Sequence, residues 1–283
     1  ATSCLRSGHL VWGVDTNIDQ VKAFCSQGGQ ASTLSSVIDE IDVVVVVVLN
    51  SVQTEEVLFG QEGLVENLKP GTVVISCATV APTFAIDMER RCKEFEIFYL
   101  DAPISGGALK AKNGQLSIMA SGVKEAFQHA RPTLDSISET VFELGDEAGT
   151  GSAMKSVNRL LAGVHIAVMA EALTFGISQG ISPDKFVEVI SKCAGTSWML
   201  ENRAPHIVNG DYKPHSSINI WPKDLGIVLD VALESKFNAP IATAALEQFR
   251  TAVDMGLGFE DDAAVAKVYA KSANLSLPKK NDV

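Results

Sequence analysis

Two apolar patterns divide this chain near residue 150. Before that point, short apolar runs alternate with stretches of helical periodicity. Residues 10–15 form a short apolar run closing on an acid and predict a strand. Residues 17–27 predict a helix capped by Asn17, and residues 36–41 a shorter one. Residues 43–49 are seven apolar side chains, six of them valine. A β-branched run of that length predicts a strand buried on both faces. Helices are expected over residues 52–59, over 81–95 with Pro82 in the first turn, and over 124–137. Strands are expected over 73–76, 97–100, 115–121 and 140–144.

After residue 151 the strand signals stop. Residues 153–180, 183–193, 198–205, 223–237, 241–255 and 263–273 all carry helical patterns. The first of these opens on the turn Gly149-Thr150-Gly151 and is apolar nearly all round, which predicts a buried helix. Alternating strands and helices predict a doubly wound α/β domain over 1–150, and the helices an all-α domain over 151–283. The long helix joins the two.

Composition narrows the chemistry. With 46% hydrophobic and 20% charged residues in 283, the chain can bury a sizeable core. A net charge of −11 argues against a nucleic-acid partner, which needs a basic face. The apolar run 43–49 is too short to span a bilayer, and the run 160–175 carries His165 and Glu171, so no membrane role is expected. Five scattered cysteines without a C-x-x-C pair predict free thiols, a reducing compartment and a cytoplasmic location. The histidines show no metal-ligand spacing.

Three features carry candidate chemistry. Asp15 closes the first apolar run. In a dinucleotide-binding fold an acid there accepts from the adenosine ribose and repels a 2′-phosphate, favouring NAD over NADP; an acid that only starts a helix reads the same way. Ser105-Gly106-Gly107 follows a strand, where α/β proteins bind ligands, and glycines let backbone N–H groups converge on an anion. Lys155 enters an apolar helix, where a lysine is costly without a partner or a task. A lysine tuned by burial and nearby positive charge can act as the acid/base of hydride transfer.

The stretch Asp101-Ala-Pro-Ile-Ser-Gly-Gly107 and the segment around Lys155 resemble the β-hydroxyacid (3-hydroxyisobutyrate) dehydrogenase family. Within it, Asn50-Ser-Val-Gln-Thr-Glu-Glu, Leu160-Leu-Ala-Gly-Val-His165, Ser197-Trp-Met-Leu-Glu-Asn-Arg and Lys223-Asp-Leu-Gly resemble the L-threonate dehydrogenase subgroup. The resemblance implies a Rossmann-type NAD-binding domain followed by a helical substrate and dimerisation domain. The family's first strand and G-x-G loop are expected upstream of Ala1; without them the chain is expected to bind dinucleotide poorly. It implies that Leu49, Asn50 and Thr79 line the cofactor, with Asn50 standing where the family usually has proline. It implies that Ser105, Gly106 and Gly107 hold the substrate carboxylate, that Lys155 is the acid/base, and that Lys223 reaches cofactor and substrate.

Asn158, one helical turn from Lys155, would contact substrate or orient the lysine. Arg159 replaces a second family asparagine; it can bind a carboxylate or polyol, or pair with an acid. Trp198, Asn202 and His206 form a stripe that is either packing or a substrate wall, and Asp224 reads as structural. The implied reaction is NAD-dependent oxidation of the C2 hydroxyl of a sugar acid, foremost L-threonate to 2-dehydro-L-erythronate. The alternatives are 3-hydroxyisobutyrate oxidation, tartronate semialdehyde reduction, or a dehydrogenase-like binder without catalysis. The implied partners are a small hydroxy acid and a second copy of the chain, in a homodimer or homotetramer.

Overall fold

A computed structural model describes residues 1–31 and 36–280 of the chain. It resolves into two compact units, Ala1–Lys155 and Ser156–Val283.

The first unit is α/β. Its parallel sheet has the order β1 (Val43–Val46), β2 (Val73–Ser76), β3 (Phe98–Asp101). A second sheet is built from β4 (Ile104–Ser105), β5 (Leu116–Ala120) and β6 (Ser138–Glu143), with β4 antiparallel and β6 parallel to β5. A bridge from Asp101 to Ser121 ties the two together. The helices are α1 (Thr2–Arg6), α2 (Ile18–Cys25), α3 (Ser51–Phe59), α4 (Pro82–Lys93), α5 (Gly107–Asn113) and α6 (Lys124–Ile137). Strand β2 shows why a continuous apolar run is needed. Val73 and Ile75 enter one core with Leu100, Ile118 and Leu134; Val74 enters another with Val46, Met88 and Tyr99. Successive side chains point to opposite faces, and both faces are covered.

Several expectations need correction. Residues 10–15 form no strand. Trp12 makes a single parallel bridge to Gln30, while Leu10 and Val14 are exposed, so no ladder stabilises the run. The valine-rich strand ends at Val46 and is half-buried along most of its length, because among the described residues it is paired on one side only. Over residues 36–41 there is 3-10 structure, including the turn Ile38–Glu40, in place of an α-helix. Strand β4 and helix α5 were not foreseen: two residues of strand and a seven-residue helix are too short for a periodic signal.

The second unit is helical throughout. Helix α7 (Thr150–Ser178) begins in the first unit and continues through α8 (Pro183–Ile190), α9 (Trp198–Val208), α10 (Ile220–Glu234), α11 (Pro240–Asp254) and α12 (Ala266–Ser272). Its core centres on Trp221 and Phe249, stacked at 5.4 Å, with Ile166, Leu173, Ile207, Leu225 and Leu246. Helix α7 is long and apolar enough to cross a bilayer, yet Ile166, Met169, Ala170 and Leu173 are spent on this core. It is not buried on every side: Met154, Val157, Leu161, Val168 and Phe175 are exposed.

Candidate active site

The first unit assembles its candidate residues where β3 runs into β4. Asp101 ends β3 with its side chain almost wholly buried. Its Oδ2 accepts the backbone N–H of Gly149 at 3.0 Å and of Ser152 at 2.7 Å, and its Oδ1 accepts the Ser152 hydroxyl at 2.7 Å. Orphan N–H groups of α7's first turn are thus satisfied by a carboxylate from another strand. Ser121 Oγ accepts a further one from Gly151, at 3.0 Å, and Glu89 accepts from Ala148 at 3.1 Å. Burial pushes the Asp101 carboxyl above the usual carboxylate range, partly offset by its hydrogen bonds from Ser152, Gly149 and Ser121. Gly151 is required here: a Cβ would lie 2.5 Å from the carbonyl oxygens of both Asp101 and Met119.

One turn on, Lys155 is 2% exposed and its Nζ donates to the carbonyl oxygen of Ile104 at 2.5 Å. Ile104 and Ser105 form β4, paired with Ile118 and Ser117. The structure therefore brings Lys155 to the residue adjoining Ser105-Gly106-Gly107. Gly106, with φ of +126°, caps α5; the Lys110 side chain lies where its Cβ would be. A side chain at Gly106 would meet both a disfavoured backbone and a filled volume.

The remaining first-unit residues lie in loops outside the strands. Register pairs Val46 with Ser76, so the chain leaves β1 and β2 side by side toward Leu49–Asn50 and Thr79. Asn50 caps α3, accepting the Gln53 N–H at 2.9 Å, which is the task an asparagine performs there and a proline could not. Leu49 is exposed and its N–H donates to Gln53 Oε1. Thr79 is half-buried. Asp15 is exposed, and its carboxylate accepts the Asn17 N–H at 2.8 Å just ahead of α2.

In the second unit, Arg159 pairs with an acid. Its Nε lies 2.7 Å from Asp224 Oδ2, and Lys223 Nζ lies 2.8 Å from Oδ1. Asp224 is fully buried, yet neither contact has hydrogen-bond alignment, so the attraction is mainly Coulombic. The guanidinium also sits 5.4 Å over the Trp221 ring. Asn158 is half-buried on α7. The stripe of Trp198, Asn202 and His206 divides. Trp198 is exposed, Asn202 accepts from Arg203, and His206 Nδ1 faces Asp261 at 3.5 Å.

Sequence reasoning missed two features. The sequence shows Asp101 only as part of a motif; its helix-capping role joins residues about 50 positions apart, which no local pattern reports. The buried network of Arg203 with Asp261 and Asp262, completed by Trp221 Nε1 donating to Asp262 at 3.1 Å, was also missed. Its one signal was a run of three acids, Glu260-Asp261-Asp262, directly before the apolar run 263–266.

Residues 1–145 match the NAD binding domain of 6-phosphogluconate dehydrogenase, and residues 149–269 match the NAD-binding family of NADP-dependent 3-hydroxyisobutyrate dehydrogenase. The L-threonate dehydrogenase of Cupriavidus necator is 44% identical over 270 residues, covering 95% of this chain and 91% of its own length. The 2-(hydroxymethyl)glutarate dehydrogenase of Eubacterium barkeri is 33% identical over 279 residues, covering 98% and 92%. A crystal structure of 3-hydroxyisobutyrate dehydrogenase from Salmonella typhimurium superposes with a TM-score of 0.88 at 39% identity, covering 95% of this chain and 94% of that one. The chain belongs to the β-hydroxyacid dehydrogenase family, the NAD-dependent oxidoreductases that act on a CH–OH group.

Proposed function

We propose that this protein oxidises the C2 hydroxyl of a sugar acid, foremost L-threonate to 2-dehydro-L-erythronate, with NAD as oxidant. The observation that carries the reading is a buried lysine held by the carbonyl beside Ser105, in a chain 40–44% identical to several L-threonate dehydrogenases.

Bound NAD supplies the hydride acceptor. The carboxyl edge of the parallel strands suits it: exposed Val47, Leu49 and Val52 offer apolar surface where α/β folds bind nucleotides. There Leu49, Asn50 and Thr79 line the cofactor. Asp15 faces the adenosine ribose, and its negative charge selects NAD over NADP. When the C2–H bond breaks, the hydroxyl proton must go to a base. Neutral Lys155 takes it on Nζ, while a remaining N–H keeps its bond to Ile104. Ser105, Gly106 and Gly107 hold the substrate carboxylate, and Asn158 orients substrate or lysine. Lys223 serves cofactor and substrate.

Arg159 is a substrate residue whose guanidinium is held by the charge of Asp224 and lies over Trp221. A guanidinium so held suits a polyhydroxylated chain better than the single amide it replaces. This division makes residues 1–150 the NAD domain and 151–283 the substrate and dimerisation domain. The exposed Leu161, Val168 and Phe175 follow a seven-residue spacing, and the last two line a groove of about 430 Å³ between α7 and α12. That face suits a second copy of the chain in a homo-oligomer. The free thiols suit a cytoplasmic setting.

The competing reading within the family is 3-hydroxyisobutyrate oxidation, the activity named for the Salmonella structure. Initial rates on L-threonate, 3-hydroxyisobutyrate and tartronate semialdehyde, with NAD or NADP in the matching redox state, decide between them. The expected preference is L-threonate with NAD; equal or faster turnover of 3-hydroxyisobutyrate sinks it. Lys155→Ala is expected to abolish turnover with the fold intact by circular dichroism, and appreciable residual turnover removes Lys155 from the role.

A further inference from the structure

We infer that Asp101 is a positioning residue for the reaction: it seats the first turn of α7 on the segment running from β3 to β4, whose Ile104 carbonyl holds Lys155, and so sets where the acid/base nitrogen stands. The inference rests on the reading of Lys155 as acid/base.

The short segment between β3 and β4 touches α7 twice. At its start, Asp101 takes the N–H groups of Gly149 and Ser152 and the Ser152 hydroxyl. At its end, the Ile104 carbonyl takes Lys155 Nζ. Residue 152 precedes Lys155 by three positions, less than one helical turn. A helix fixed at residues 149 and 152 has its rotation and axial position set, and with them the origin of the lysine side chain. The other donors of this helix end are also held, by Ser121 and Glu89, but each of those holds one N–H. Asp101 holds three groups, and it alone belongs to the segment that continues to Ser105 and Gly106. The absence of a side chain at Gly151 keeps this seat tight, since the Asp101 carbonyl lies where its Cβ would go.

The Asp101 carboxylate is held by hydrogen-bond donors. Its charge is matched by backbone and hydroxyl donors at the positive end of a helix. The chemistry required is therefore acceptor geometry at two oxygens. An asparagine keeps the acceptor for both N–H groups, and its amide can donate to Ser152 Oγ, whose hydroxyl proton is free to turn. Alanine keeps nothing.

The test compares Asp101→Ala, Asp101→Asn and Ser152→Ala with the wild-type chain and Lys155→Ala. Steady-state kinetics are run on L-threonate, with NAD affinity measured by calorimetry. Displacement of a catalytic group by about 1 Å costs about 100-fold in rate. Asp101→Ala is expected to lower kcat by about that factor, with KM and NAD affinity within about threefold. Asp101→Asn is expected to restore kcat to within about fivefold of wild type, and Ser152→Ala to fall between. A merely structural aspartate would lower the yield of folded protein but leave kcat per folded molecule unchanged. That result, or an asparagine variant no better than alanine, overturns the inference. Should Asp101→Ala fail to fold, the same comparison rests on Ser152→Ala and Asp101→Asn. If Lys155→Ala retains turnover, the reading of Lys155 fails; if Lys155→Ala is dead while all three seat variants turn over normally, only the positioning role fails.

Discussion

Asp224 offers the sharpest test of the second unit. Its carboxylate is fully buried between Arg159, 2.7 Å away, and Lys223, 2.8 Å away, whose side chains are 22% and 30% exposed. Asp224→Asn keeps the shape and removes the charge, leaving two cations facing a neutral amide. Breaking a buried ion pair by removing one partner costs about 3–5 kcal/mol. Water reaches both cations here, so the lower end applies, about 3 kcal/mol. If the helical unit unfolds on its own, that lowers its Tm by about 11 °C; if both units unfold as one, by about 5 °C. Differential scanning calorimetry on wild type, Asp224→Asn, Arg159→Met and the double variant checks both the size and the origin. Arg159→Met alone should cost less, because Lys223 still faces the carboxylate. The double variant should be more stable than the sum of the two losses implies, by about 1–2 kcal/mol, since the second change removes a charge the first had stranded. Additive effects, or a loss below about 1 kcal/mol for Asp224→Asn, would refute the view that this carboxylate is held by charge.

Other consequences follow from single contacts. Gly151→Ala must push α7 off the carbonyls of Asp101 and Met119; it should cost about 1–3 kcal/mol in urea denaturation and lower kcat without removing any hydrogen-bonding side chain. Asn50→Ala should cost about 1 kcal/mol by loss of the α3 cap, read by the same assay. Asp15→Ser should raise the NADP-to-NAD ratio of kcat/KM about tenfold, the worth of removing an exposed charge near a 2′-phosphate.

Burial pushes the Asp262 carboxyl up to about 6, against the attraction of Arg203 and with Asp261 adding to it. The folded chain then binds this proton more tightly than the unfolded one. The stability it contributes is present below about pH 4 and lost as pH rises through about 6. Burial holds His206 below its ordinary value, facing Asp261, His215 and Arg203, so its contribution is lost instead as pH falls through about 6.5. Asp262→Asn should therefore flatten the loss of stability between about pH 4 and 6, measured by urea midpoints; an unchanged slope removes Asp262 from that titration.

The class of fold was legible because burial imposes periodicity. Val73–Ser76 must be apolar on both faces of a covered sheet, and Ile166, Met169, Ala170 and Leu173 recur at helical spacing on α7. Lys155 and Ser105-Gly106-Gly107 stood out for the same reason: a charge in an apolar helix and paired glycines after a strand break the local pattern. Tertiary structure alone decided three matters. The run 43–49 promised a strand buried on both faces, but an edge position shortened and half-exposed it, since burial depends on neighbours the run does not encode. Arg159 could bind a ligand or an acid; the contact with Asp224, 65 positions away in sequence, selected the acid as its partner in the fold. Asp101 gave no sign of what it caps, because a helix end satisfied by a distant carboxylate leaves no mark near either residue. Periodicity is written along the chain, whereas a hydrogen bond between remote residues exists only once the chain has closed on itself.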